Sequence, residues 1–280
     1  MNKLTPSSRL ASTLLITAIL CSGSVFAQKQ PDVQDGNLKA NTVKIDGDAK
    51  DWQSPLKAFN KSTGLAYSVA NDDKKLYVVM QASDINTTRK IMMGGITFSI
   101  NADGKKRTKE VLSLTYPAIT QTSRRAAMGG GGRRSFGSFQ QMTQEQRDSM
   151  QHAMMQKQLD LAKDIKVFGF KGVADSSVSV YNEYSIKAVA KLSKDGVYTY
   201  ELCIPLELIP DGISDSFGYN IKVNGLEMRN FGGGGNFGGN RGGGGGFGGG
   251  APGGGGMRGG FNFQDMMTPT DFWGKYTLAK

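Results

Sequence analysis

Residues 43–84, VKIDGDAKDWQSPLKAFNKSTGLAYSVANDDKKLYVVMQASD, contain two alternating runs joined by a polar turn. Leu65, Tyr67 and Val69 recur at every second position, as do Leu76, Val78, Met80 and Ala82, which is the period of half-buried strands. Asn71, Asp72, Asp73 and Lys74 between them are turn formers, because Asn and Asp side chains bond their own backbone and tolerate left-handed conformations. The stretch predicts a β-hairpin laid on a core, preceded by an Ile45-Asp46-Gly47-Asp48 turn and by Trp52.

The same period continues downstream. Ile96, Phe98 and Ile100 form a third strand, closed by the turn signal Asn101-Ala102-Asp103-Gly104. Asn101 and Asp103 could also open a calcium loop, but the longer acidic pattern ending in Glu is missing, so a hairpin turn is the reading. Residues 111–115 make a further strand, stopped by Tyr116-Pro117. Strands follow at 165–170 and 177–184. A hairpin then joins Ile186, Ala188, Ala190 and Leu192 to Tyr198, Tyr200, Leu202 and Ile204 across Ser193-Lys194-Asp195-Gly196. Phe217, Tyr219, Ile221 and Val223, then Phe272, Gly274, Tyr276 and Leu278, complete the set. About nine or ten short strands with frequent turns predict an all-β fold, a single antiparallel β-sandwich.

Two insertions interrupt it. Residues 118–164 carry Arg124, Arg125, Arg133 and Arg134 around four glycines, then a helix opened by Thr143, with Gln146 three residues on as its capping partner. Met150, Ala153, Met154, Lys157 and Leu161 fall at helical spacing. Residues 229–264 are dominated by glycine without a collagen-like period, a composition that buries too little surface to offset its ordering entropy, and disorder is expected there.

The first 27 residues read as an export signal: Lys3 and Arg9, an apolar run over 10–20, and Val25-Phe26-Ala27 before Gln28. Cys21 could instead anchor a lipoprotein, but Leu20 is bulky where such sites prefer a small residue. No later stretch approaches the roughly 20 apolar residues of a transmembrane helix. An exported protein, periplasmic or extracellular, is expected, with 28–41 a flexible lead-in and 42–280 one domain. Losing Lys3 and Arg9 lowers the formal charge from +10 to +8, so the mature chain stays basic. Cys203 is then its only cysteine, which excludes an internal disulfide. Export sets nucleic acid aside as a partner, although Gly, Arg and Phe over 128–139 and 231–261 are the mixture of RNA-binding arms. An acidic polysaccharide or another envelope polyanion fits the charge better.

In order along the chain, these residues resemble the family 9 carbohydrate-binding modules and the wider DOMON-like sandwiches. Ile45-Asp46-Gly47-Asp48 with Asp51 and Trp52 is similar to that family's first-strand signature, residues 66–84 to its first hairpin, and 196–206 to its strand ending in Ile-Pro-Leu. Residues 217–224 and 272–278 are similar to its last two strands. The resemblance implies a non-catalytic module with a jelly-roll-like sandwich and no cofactor, in which Trp52 packs. It also implies a saccharide stacked between two Trp side chains on loops, one before the third strand and one before the closing strand. This chain has Ile91, Met92 and Met93 at the first place, and Phe261, Phe263 and Met266 at the second. Trp273, Phe263, Phe261, Tyr116 and Met92 are the candidates for the apolar contact that a sugar ring's C–H face needs. The alternative is a structural or interaction protein of the cell envelope.

Other chemistry has less to build on. His152 is the only histidine, so any Ser-His-Asp arrangement must use the inserted helix. No spacing singles out a carboxylate pair among the 24 acidic residues. No enzyme activity is expected. The wider group includes haem binders with Met and His ligands, which makes His152 and Met155 the residues to inspect for a metal or haem. Met150 and Met154 lie on the other side of that helix. Met142-Thr143-Gln144-Glu145-Gln146 also resembles a motif of small periplasmic chaperones, which a capping box explains without ancestry.

Overall fold

The computed structural model describes residues 30–104, 111–120, 142–210, 215–226 and 263–280. Two antiparallel sheets face each other across one core. The first runs β1 (Ala58–Asn60), β2 (Leu65–Asn71), β3 (Lys75–Ala82), β9 (Tyr198–Pro205), β8 (Lys187–Leu192). The second runs β11 (Thr270–Thr277), β10 (Ser216–Val223), β4 (Ile96–Asn101), β5 (Leu112–Tyr116), β6 (Asp164–Phe168), β7 (Ser177–Ser179). The chain is an antiparallel β-sandwich carrying an inserted helix, as its period-two patterning predicts. Among the described residues no helix is long and apolar enough to cross a membrane.

Tyr67, Val78, Leu202, Phe98, Tyr219 and Ile221, all at most 1% exposed, meet in the core. Register follows the pattern: Val69 opposes Val78, and Phe98 opposes Ile221. A one-residue slip would turn these side chains out to solvent. Tyr67 and Tyr219 join hydroxyls across the sandwich at 2.9 Å. The hydroxyls of Tyr198 and Tyr200, also in the core, have no hydrogen-bond partner among the described residues.

Residues 30–41, expected as a flexible lead-in, instead finish the first sheet. β1 is only three residues long and leaves the outer edge of β2 unpaired beyond Tyr67. The buried Gln34 side chain fills the gap, its Oε1 accepting from the Val69 N–H at 2.7 Å and its Nε2 donating to the Val69 carbonyl at 2.9 Å. Ala40 N–H then donates to Asn71 O, and Asn71 N–H to Leu38 O. An unpaired edge group costs about as much as a lost hydrogen bond, which is what fixes this segment.

Residues 38–56 cover the outer face of the first sheet. Trp52, Leu56 and Ala40 pack on Ala70, Tyr77, Val79 and Cys203 in a second apolar cluster. β9 is consequently buried at every position, although its sequence alternates.

The inserted helix, α2 (Gln144–Asp160), begins at Thr143 with a reciprocal capping box to Gln146. Its buried face is Met155 and Leu159, one position round from the stripe of Met150, Met154 and Leu161, and Leu161 is exposed. The helix follows the edge strand β8, where the Gln156 side chain accepts from the Leu192 N–H at 3.2 Å. Satisfying that edge outweighed the apolar periodicity. Two further helices, α1 (Ile85–Gly94) and α3 (Phe263–Met267), have no counterpart in the pattern of alternating strands. The expected signal at 1–27 and the glycine-rich stretches lie outside the described residues.

Candidate binding cleft

Asp84 ends the first hairpin and caps α1, its carboxylate accepting from the Thr87 N–H at 2.7 Å and the Thr87 hydroxyl at 3.0 Å. The helix packs by Ile91 and Met92 into the core and leaves through Gly95 into β4. α3 comes from the far end of the chain and lies against it. The contact depends on absent side chains. A Cβ on Gly94 would meet the Gly225 carbonyl oxygen at 2.5 Å, and one on Gly225 would meet that of Met267 at 2.1 Å. Three backbone segments therefore cross without intervening atoms. Asn224 ties them, donating to Gly94 O at 3.1 Å, and the Leu226 N–H donates to Met266 O at 2.8 Å.

Between α1, α3 and the β1–β2 turn opens a cleft of about 450 Å³, within the range of small-ligand sites. Its lining is polar. The turn supplies Lys61, Ser62 and Thr63, α1 supplies Asn86, Thr87 and Lys90, and Asp265, Thr268 and Thr270 face them. The turn is held by Asn60, whose Oδ1 accepts from the Ser62 hydroxyl at 2.7 Å and the Thr63 N–H at 3.1 Å. Lys61 lies 3.9 Å from Asp32, a solvent-screened pair.

Lys90 is the unusual member. It is 9% exposed, donates one hydrogen bond, to Thr270 Oγ1 at 3.1 Å, and has no ion-pair partner among the described residues. Burial holds its ammonium below the ordinary lysine range, while the field of Asp265 pulls the other way. An ammonium has three donors, and the other two have no acceptor among the described residues.

The loops around 91–93 and 261–273, expected to carry a site, are thus brought together, but by other side chains than those expected. Met92 is core, 4% exposed. Tyr116 is also buried: its ring stacks on Tyr200 at 5.7 Å and its hydroxyl donates to Ala162 O. Neither lines the α1–α3 cleft; Tyr116 borders a separate pocket of about 460 Å³ beside α2 and β8. Trp273 is half-buried on β11, opposite Asn220 and on the face that points away from the core, and does not line the cleft. Phe261 lies outside the described residues, and of Phe263 only the backbone is described. His152 Nε2 is 2.7 Å from Ser193 O, and Met155 packs into the core. These contacts dock α2, and the described residues contain no group of three or more His, Cys, Asp or Glu that could hold a metal ion.

Glu201 is the residue that sequence reading missed. It is fully buried on β9 and accepts three hydrogen bonds, from the Asp46 and Gly47 N–H groups at 2.9 and 2.7 Å and from Trp52 Nε1 at 2.8 Å. Burial raises its carboxyl above the ordinary value of 4.5, and the three donors hold it back. The Asp-Gly turn and the Trp are thus the socket of one buried carboxylate. A larger groove of about 890 Å³ runs beside this socket, past Gln81, Thr199 and Lys191. Its charges are exposed or paired, Asp48 with Lys50, so it has no equivalent of Lys90.

Compared with models of known protein families and with curated proteins, the chain matches none.

Proposed function

We propose that this protein is an exported, non-catalytic binding module of the family 9 carbohydrate-binding type, and that it takes a saccharide in the α1–α3 cleft. The observation that carries the reading is the composition of the cleft. Five Ser and Thr side chains, an Asn and four charged groups converge on one concavity at the end of the sandwich. Such a set exchanges hydrogen bonds with a polyhydroxylated ligand, each hydroxyl of which both donates and accepts. The cleft also lies between the two loops that the resemblance assigns to the ligand. A calorimetric titration of the full chain against a panel of neutral and acidic oligosaccharides tests it. Saturable binding that Thr268→Val with Thr87→Val weakens supports the cleft, and the absence of heat with every oligosaccharide overturns it.

A second reading, an interaction protein of the cell envelope without a sugar ligand, is favoured by the exposed rings of Phe168 and Tyr181, at 65% and 80% exposure on the second sheet's edge. A contiguous exposed apolar patch marks a contact surface, and these two rings are the most exposed large hydrophobic side chains among the described residues. Pull-down from envelope fractions, lost in Phe168→Ser with Tyr181→Ser, would support that reading over the first.

A further inference from the structure

Lys90 carries more than its neighbours in the cleft. A buried ammonium is costly unless a counter-charge and hydrogen bonds meet it. Lys90 lines the cleft with one neutral acceptor, Thr270 Oγ1, and no other among the described residues. Asp265 acts on it through its field but forms no ion pair with it among the described residues. Asp84 is spent on the Thr87 N–H and hydroxyl. Lys61 leans toward Asp32. The position of an anion beside Lys90 is therefore not filled by any described residue.

We propose that the cleft selects a saccharide bearing a single negative charge, a uronic acid or a sulfate ester, whose charged group is bound by Lys90 and the Thr270 hydroxyl. The proposal rests on the saccharide reading of the same cleft. Asp84 and Asp265 line the same cleft, and their repulsion grows with the charge of the ligand, so a singly charged group is favoured over a doubly charged phosphate. Hydrogen bonds from an ammonium to an ionised acceptor are shorter and stronger than those between neutral groups. The basic balance of the mature chain, +10 less the two charges of Lys3 and Arg9, draws such ligands in.

The test uses the full chain and three oligosaccharides of equal length, of galactose, galacturonic acid and 6-sulfated galactose. At least one acidic oligomer is expected to bind about ten-fold more tightly than the neutral one, roughly 1.4 kcal/mol. Lys90→Met is expected to abolish that advantage, so that acidic and neutral oligomers bind the variant with equal affinity. Whichever acidic oligomer gains identifies the charged group. Equal affinity for all three overturns the selectivity and leaves the saccharide reading standing. An acidic preference that survives in Lys90→Met overturns the role of Lys90. No binding of any oligomer overturns both. Should Lys90→Met not fold, Lys90→Gln keeps the polar contact without charge and reads the same difference.

Discussion

Trp52→Phe isolates what the buried carboxylate does for the fold. The indole of Trp52 gives Glu201 its only side-chain donor, Nε1 at 2.8 Å, and Phe offers none. A hydrogen bond to a buried charge is worth about 1.5–3 kcal/mol, and the smaller ring leaves a gap in the cluster around Ala70, Val79 and Cys203 costing roughly 1 kcal/mol more. A loss of about 2.5–4 kcal/mol lowers Tm by roughly 5–16 °C in a domain of this size class. The loss should depend on pH. Glu201 is a carboxyl raised above 4.5 in the folded state, so the stability it contributes is full below that pH and is lost as pH rises through its folded value. Removing a donor to the charged form raises the folded value further and extends the loss to higher pH. Thermal melts of both proteins at pH 5 and pH 8 should therefore differ more at pH 8. A gap of equal size at both pH values would mean that only packing was lost, and an unchanged Tm would refute the socket altogether.

Three further outcomes follow from the structure. Gly225→Ala places a Cβ 2.1 Å from Met267 O and should cost more than about 2 kcal/mol in a urea melt while abolishing oligosaccharide binding; an unperturbed melt would refute the backbone crossing. Tyr200→Phe removes a buried hydroxyl without a partner among the described residues and should leave stability unchanged or raise it by up to about 1 kcal/mol, so a clear drop in Tm would mean that the hydroxyl is satisfied. Burial pushes the Cys203 thiol up to about 11, so it should resist iodoacetamide at pH 8 in the folded protein and react in urea, as mass spectrometry would show.

The sandwich was legible because its strands are half-buried and keep a period of two. The hairpin of β2 and β3, with its Asn71-to-Lys74 turn, is an example, as is the capping box at Thr143. What could not be read was set by distant contacts. α1 is short and rich in β-branched and polar residues, INTTRKIMMG, so its only local signal is Asp84 with Thr87 three positions on. Lys90 looks like any surface lysine until Thr270, 180 residues away, comes alongside. Glu201 occupies an alternate position that reads as solvent-facing, yet the 46–52 segment covers it from about 150 residues upstream. Tyr116 and Met92 were plausible by residue type, and only the packing shows that they point inward. Alternation tells which positions share a face. It does not tell whether a second layer covers that face, and here one does.

The crossing of Gly94, Gly225 and Met267 separates two tasks that binding sites often combine. The α3 wall of the cleft is held by main chain against main chain at this crossing, with the Thr268 hydroxyl donating to Gln264 O at 3.0 Å, and Lys61, Asn86, Lys90 and Asp265 form none of the contacts of the crossing. These four are thus free to vary while the shape of the concavity stays constant. A library randomised at those four positions should yield proteins that differ in the ligand they prefer and agree in their melting temperature. The fold would then serve as a receptacle whose selectivity can be rewritten without rebuilding it.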